Sequence, residues 1–417
     1  METYGKILLI AMPIFLILVL FEKWFGWKKG FDTVRNMDMI SSLSSGITNV
    51  TKDVLGLSIG ILSYGWMVKH LAIFTIQNTI IVYIIAFIAI DFQGYWVHRW
   101  SHHINIFWNR HIIHHSSEEF NLACALRQSI SSIFQLFTFL LLPAAILGVP
   151  QIVIATLLPI HLFAQFWYHT RHIDKMGFLE KIIVTPSHHR VHHAINKEYL
   201  DKNLGQIFIF WDKFFDTYQE ELKEVEPIYG ITRPVKTWNP IKINFQHIWL
   251  LIQDAWRTKN LWDKCRIWFM PTGWRPQDVE IKYPVSKIDD PFNFKKYNPK
   301  ASTALHIWSW IQIAITLLFA SYLFYNIAEI GSPNIFIYGG FLFLMVNAYT
   351  ELMNRNIYSI LFELIKNGFG FYIVYSTNDW FKASILFPNI NFYLIGYFIL
   401  STFITTCFVI KHFKEDN

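Results

Sequence analysis

Histidine is the residue this chain concentrates. Of its seventeen histidines, thirteen fall between residues 98 and 193, and they come at recurring spacings. His98 and His102 stand four apart. His111, His114 and His115 stand at i, i+3 and i+4, and His189, His192 and His193 repeat that spacing. On a helix such positions share a face, so each group aims two or three imidazoles at one region. Neutral imidazole is a ligand for iron, zinc, copper and nickel. A single HxxxH arises by chance, whereas three such groups close together predict a metal site. Their eight rings exceed the coordination number of one ion, so two metal ions are expected. His169, in QFWYHT, ends an apolar segment and is a further candidate ligand. His161 lies two turns deeper, where a hydrogen-bonded core role is equally expected. His103, His172 and His188 adjoin the groups as ligands or as partners of ligands. His70, His247, His306 and His412 are isolated and read as structural.

The elements that must position these residues are membrane helices. The chain of 417 residues is 53% hydrophobic and only 16% charged, against roughly 25% charged in a soluble domain. About 20 apolar residues cross a bilayer. On that measure spans are expected near 5–22, 43–66, 71–91, 129–148 and 150–168, then at 303–325, 334–351, 356–375 and 391–410. The segment ILLIAMPIFLILVLF lacks a basic leader and a small-residue cleavage site, so it reads as a retained span. Lys23, Lys28, Lys29 and Arg35 place the end of the first span in the cytoplasm. Alternation then puts 92–128 and 169–302, which hold the histidine groups, on that side. The fold class expected is an all-α, polytopic helical bundle with a cytoplasmic histidine-rich site. Its divisions are N-terminal spans over 1–70, the histidine-bearing membrane region over 71–237, interfacial helices over 238–302 and a four-span region over 303–417. In the third of these, Phe245, Ile248, Trp249, Ile252 and Trp256 recur at helical spacing. With so many tryptophans, they predict helices lying on the cytoplasmic leaflet.

Polar residues between the groups have two readings each. Glu118 and Glu119 could orient ligand rings, and Asn121, Arg127 and Gln128 could hold a lipid headgroup or a reductant; a capped helix start with solvated charges is the alternative. Asp201 and Asn203 could be partners of ligand rings, or simply turn residues. The basic residues follow loops rather than forming one stripe, which gives no nucleic-acid signal. Cys124, Cys265 and Cys407 form no CxxC pair and read as small buried hydrophobes. A zinc transporter or sensor is the competing class, but transport sites lie near the bilayer midplane, and these groups sit at helix ends. A bis-histidine haem protein would need one ring on each of two facing spans rather than triplets.

HxxxH, then HxxHH, then HxxHH resembles the histidine pattern of the fatty acid hydroxylase (sterol desaturase) superfamily. DFQGYWVHRWSHHINIFWNRHIIHHSSEEFNLACALRQS, QFWYHT, TPSHHRVHHAINKEYLDKNLGQIFIFWDKFFDTY and PTGWRP look like its alkylglycerol monooxygenase-type branch. The likeness covers roughly residues 40 to 280 and departs from the branch pattern at His103 and Asp216. The resemblance implies a membrane diiron monooxygenase with metal ligands at His98, His102, His111, His114, His115, His169, His189, His192 and His193. It implies O2 as cosubstrate, a lipid substrate and a tetrahydropterin reductant, or a separate electron donor in the pterin's place. Cleavage of an alkylglycerol ether to a fatty aldehyde is the expected reaction. Hydroxylation or desaturation of a fatty acyl, sterol or sphingoid chain is the alternative. Histidine sites hold zinc more tightly than ferrous iron, so a purified sample can carry zinc in place of iron. The membrane would be the inner membrane of a bacterium or the endoplasmic reticulum of a eukaryote.

Overall fold

The computed structural model describes residues 2–77 and 79–416, with the backbone alone at 2, 3 and 413–416. Among the described residues, five helices are long and apolar enough to cross a membrane. They lie within Glu2–Lys29, Ile80–His103, Thr303–Tyr325, Asn334–Met353 and Ile390–Asp416. A sixth long helix, Ser359–Thr377, carries Glu363 and Lys366 inward and completes the C-terminal group. The C-terminal helices therefore fall close to the spans expected there. The molecule is a multi-pass, mostly helical membrane protein.

Four of the expected N-terminal spans need correction. The segment 43–66 is not one span. A helix runs over Asn36–Val54, followed by the two-residue strand Ile59–Gly60 and the short helix Tyr64–Leu71. The first of these buries Ser41, Ser42, Ser44, Ser45, Thr48 and Thr51 against protein. Several of their hydroxyls donate back one turn, as Ser42 does to Asp38 O at 2.9 Å and Ser44 to Ile40 O at 2.6 Å. It is an internal helix that lipid does not touch.

The span expected at 71–91 instead begins at Ile80 and continues through the first histidine pair to His103. The segments 129–148 and 150–168 are broken into Phe137–Leu141, Leu142–Ile146 and Gln151–Phe163. Pro143 and Pro150 remove backbone donors there. Gly148 adopts φ +80, and a Cβ at that residue would lie 1.9 Å from Phe74 O, so only glycine permits the reversal.

Two apolar cores flank the histidines. One joins Glu2–Lys29 and Asn36–Val54 to the C-terminal helices through Met39, Ile40, Phe324, Phe341 and Leu342. The other packs Ile80–His103 on Gln151–Phe163 through Val82, Ala86, Ile90, Val153 and Leu157.

The interfacial region holds a real helix, Pro240–Arg257, with Pro240 at its first position. The Asn239 side chain caps it by accepting from Ile241 N at 2.9 Å. Its inner face buries Ile243, His247, Leu251 and Asp254. Its outer face leaves Trp249 58% and Trp256 85% exposed, with Phe245 and Ile252 beside them. The helix therefore presents the outward apolar stripe expected from its spacing.

Candidate metal centre

Each histidine group is carried by a short, locally determined element. Ile80–His103 is apolar over its first three turns and brings His98 and His102 to one side of its last turns. Ile104 is extended (φ −121, ψ 124) and ends it. The chain then reverses through Asn105–Trp108 into the single turn Ile112–His115. Asn105 fixes the reversal by donating to Ile267 O at 3.0 Å and Trp274 O at 3.1 Å. The third group lies on Pro186–His192, which starts with a proline and a capping box at Thr185 and His188. His169 comes from the irregular segment after Gln151–Phe163.

All nine candidate ligands come together, in two groups. His98, His102, His111, His115 and His192 form one, and His114, His169, His189 and His193 the other. Within each group the ligand nitrogens lie within 4.8 Å of one another. The groups adjoin, with the rings of His115 and His193 stacked at 4.3 Å. Each HxxHH therefore divides. Positions i and i+4 join one group and i+3 the other, because at 3.6 residues per turn i+3 and i+4 point about 100° apart. The two triplets run in opposite senses: His111 and His115 serve the first group, while His189 and His193 serve the second.

The donor atoms fit a cation. His114 Nδ1 donates to Arg127 O at 3.3 Å, and His169 Nδ1 donates to Gln165 O at 3.0 Å. A carbonyl only accepts, so both protons sit on Nδ1. Burial, with His169 as neighbour, holds the His114 pKa down to about 3, and burial does the same at His169. Both rings are therefore neutral, and each Nε2 carries a lone pair. These two nitrogens face each other across 3.3 Å. Two lone pairs at that distance repel, and a positive ion between them turns the contact into coordination. Burial also drives His111, His115, His189, His192 and His193 well below the usual imidazole range, with neighbouring rings adding to it. His192 Nε2 is buried without a hydrogen-bond partner among the described residues.

Backbone carbonyls orient four of the nine rings. His98 Nδ1 donates to Leu204 O at 2.7 Å and His192 Nδ1 to Lys202 O at 3.0 Å. His102 Nδ1 meets the Asp201 carboxylate at 3.0 Å. Such contacts fix the tautomer that leaves Nε2 free for a metal. Asp201 thus acts as the ring partner anticipated for it. Asn203 instead donates to His188 O and Gln219 O and shapes the turn, with φ +53.

Other expectations are corrected. Arg127 does not face a ligand space: it is buried against Asp38 at 2.7 Å, Ser42 at 2.9 Å and Ser116 at 2.8 Å. Glu118 accepts from Tyr297 N and Glu119 pairs with Arg35 and Lys296, so neither touches a ligand ring. Asn121 donates to Thr33 O and Gln128 to Ala125 O. His161 is a core residue bonded to Asp91 at 2.7 Å. His103, His172 and His188 lie outside both groups. The orienting carbonyls had no sequence signal, because every residue carries one.

A cavity of about 240 Å³ opens against His102, His115 and His192, with Trp108, Arg233 and Trp274 in its wall.

The family described as fatty acid hydroxylase matches residues 83–217, which contain all nine histidines. The alkylglycerol monooxygenase of Homo sapiens is 32% identical over 358 residues, covering 85% of this chain and 80% of that protein. The alkylglycerol monooxygenase of Xenopus tropicalis is 29% identical over 357 residues, covering 85% and 79%. A Delta(7)-sterol 5(6)-desaturase of Gibberella zeae is 27% identical over 197 residues, 43% of this chain and 53% of that protein. No solved structure matches significantly. The chain belongs to the fatty acid hydroxylase family. It is a membrane-bound lipid monooxygenase with an iron-type metal site, which removes the transporter alternative.

Proposed function

We propose that this protein cleaves the O-alkyl bond of an alkylglycerol ether lipid, with two iron ions held by the nine histidines, dioxygen as cosubstrate and a tetrahydropterin as reductant. The observation that carries it is the opposed, neutral Nε2 pair of His114 and His169 in the second group, beside a first group of five rings. The similarity to alkylglycerol monooxygenases over most of the chain supports the substrate. His98, His102, His111, His115 and His192 would hold one iron and His114, His169, His189 and His193 the other.

When bound, the irons supply the reductive activation of dioxygen. One oxygen atom enters the C–H bond beside the ether oxygen and the other leaves as water, the pterin giving two electrons and two protons. The resulting hemiacetal breaks its C–O bond, and its hydroxyl proton passes to the departing glycerol oxygen. The products are a fatty aldehyde and glycerol.

The protein's own contribution is placement. Leu204 O, Lys202 O, Gln165 O, Arg127 O and the Asp201 carboxylate hold five rings in the ligating tautomer. Burial of the rings keeps bulk water from the oxidant. Basic residues flanking the groups favour a cytoplasmic site. The four helices over 303–417 frame the N-terminal helices beside this region.

The test is fatty-aldehyde release from a 1-O-alkylglycerol by iron-loaded membranes given dioxygen and a tetrahydropterin. Wild type should release aldehyde and His114→Ala should not. A fully active His114→Ala enzyme would overturn the ligand assignment. Protein that holds two irons and releases none would move the substrate to another lipid.

A further inference from the structure

Arg233 stands in the wall of the cavity that reaches His102, His115 and His192. It is only partly exposed, and among the described residues no hydrogen bond, ion pair or ring contact engages it. Its neighbours are already engaged. Arg275 binds both oxygens of Asp254, at 2.6 and 2.9 Å, and Lys287 lies near Glu280 at 3.6 Å. Asp254 is thus taken by another guanidinium. Burial first, and then the Arg275 charge, lower the Arg233 pKa, while the Asp254 carboxylate, bonded to Arg275 and not to Arg233, opposes them from a distance. A guanidinium withdrawn from water without a partner is unfavourable unless something arrives to meet it.

The cavity also has a direction. A second, more open cavity of about 370 Å³ shares Arg233, Leu250 and Val285 with the first and includes Trp249 in its wall. Trp249 belongs to the exposed apolar stripe of Pro240–Arg257. Arg233 therefore lines both the open cavity under that stripe and the space beside the first histidine group. At about 240 Å³ that inner space is smaller than the roughly 300–1,000 Å³ of a drug-sized ligand site. It suits a headgroup and the carbon beside it rather than a whole lipid.

We propose that Arg233 receives an oxyanion of the substrate's headgroup, so that the enzyme prefers a phosphate-bearing ether lipid over a neutral one. Guanidinium and phosphate match as a bidentate pair. In a 1-O-alkylglycerol 3-phosphate the ether carbon lies a glycerol's length from the phosphate. A headgroup held at Arg233 therefore brings that carbon toward the histidines. The inference rests on the monooxygenase reading, but binding can be measured without turnover.

The experiment compares wild type, Arg233→Gln and Arg233→Lys as full-length protein in detergent. Binding of 1-O-alkylglycerol 3-phosphate, neutral 1-O-alkylglycerol, inorganic phosphate and glycerol 3-phosphate is measured by ligand titration, followed by aldehyde release from the two lipids. A charged hydrogen bond lost from a binding site weakens affinity by about tenfold or more. Arg233→Gln should weaken the phosphate-bearing lipid by that factor and leave the neutral lipid within about twofold. Arg233→Lys should recover part of the loss. The soluble phosphates should bind far more weakly than the lipid.

Equal binding of the phosphate-bearing lipid by wild type and Arg233→Gln would overturn the proposal. So would soluble phosphate binding as tightly as the lipid, or a loss confined to the KM of the reductant, which would give the cavity to the electron donor. Lipid binding that depends on Arg233 without aldehyde release would sustain the headgroup site and sink the ether-cleavage reading instead.

Discussion

On the proposed two-iron reading, Asp201 offers a way to weaken one metal position and leave the other alone. Its carboxylate meets His102 Nδ1 at 3.0 Å, and His102 belongs to the five-ring group only. Partners of this kind typically change metal affinity by about 10–100-fold when removed. The Asp201 side chain is 46% exposed, so water screens its charge and the effect belongs near the lower limit, about tenfold, or roughly 1.4 kcal/mol.

The backbone dictates which substitutions are informative. Asp201 adopts φ +57, where alanine would add strain of roughly 1–2 kcal/mol of its own. Glycine takes that conformation freely and removes the carboxylate, while asparagine tolerates it and keeps an oxygen acceptor. Asp201→Gly should therefore lower the affinity of one of two irons about tenfold, and Asp201→Asn by only a few-fold. The assay is iron content after equilibration against a graded series of chelator concentrations. The expected profile is biphasic for Asp201→Gly, with the tighter phase unchanged from wild type. Equal weakening of both irons, or no difference between the glycine and asparagine variants, would refute the assignment of Asp201 to a single position.

Two further outcomes follow from the buried network behind the second group. Arg127 and Asp38 are each 1% exposed and paired at 2.7 Å, and the Arg127 carbonyl holds His114. Asp38→Ala would leave a buried guanidinium without its counter-charge, so a loss of about 3–5 kcal/mol is expected. It would be read as a large fall in thermal midpoint in detergent; an unchanged midpoint would contradict the pairing. Acid should also destabilise the metal-stripped protein. His114 and His169 are lowered from 6.5 to about 3 on folding, so between those values the unfolded chain binds more protons. Their contribution is fully present above pH 6.5 and is lost as pH falls toward 3, at roughly 1 kcal/mol per pH unit for each ring. The thermal midpoint measured at falling pH should drop below 6.5, and a flat profile would argue against neutral buried rings.

Local spacing pointed to eight of the nine candidate rings that the fold brings together. His98 and His102, and the two HxxHH triplets, are close in sequence, and helical geometry alone puts their rings near one another. The outward stripe of Trp249, Ile252 and Trp256 was legible for the same reason. Hydropathy, in contrast, misjudged 43–66, 129–148 and 150–168. It measures how apolar a segment is, and not whether lipid or protein surrounds it. Buried hydroxyls on Asn36–Val54 place the first of these inside the fold, whereas Pro143, Gly148 and Pro150 break the other two into short elements that keep exposed apolar residues such as Ile152, Ile160 and Leu162.

What the amino-acid sequence determined by itself was the chemistry on offer: imidazoles in sets of two and three, the first pair at the end of an apolar helix. Only the tertiary structure decided how they divide, with His114 apart from His111 and His115, and His192 apart from His189 and His193. It also decided which carbonyls orient them and which guanidinium is left without a partner. The reason is range. Helix spacing acts over one turn, whereas the pairs His98–Leu204, His102–Asp201 and His114–His169 join residues 106, 99 and 55 positions apart. Only packing of the whole chain brings those together.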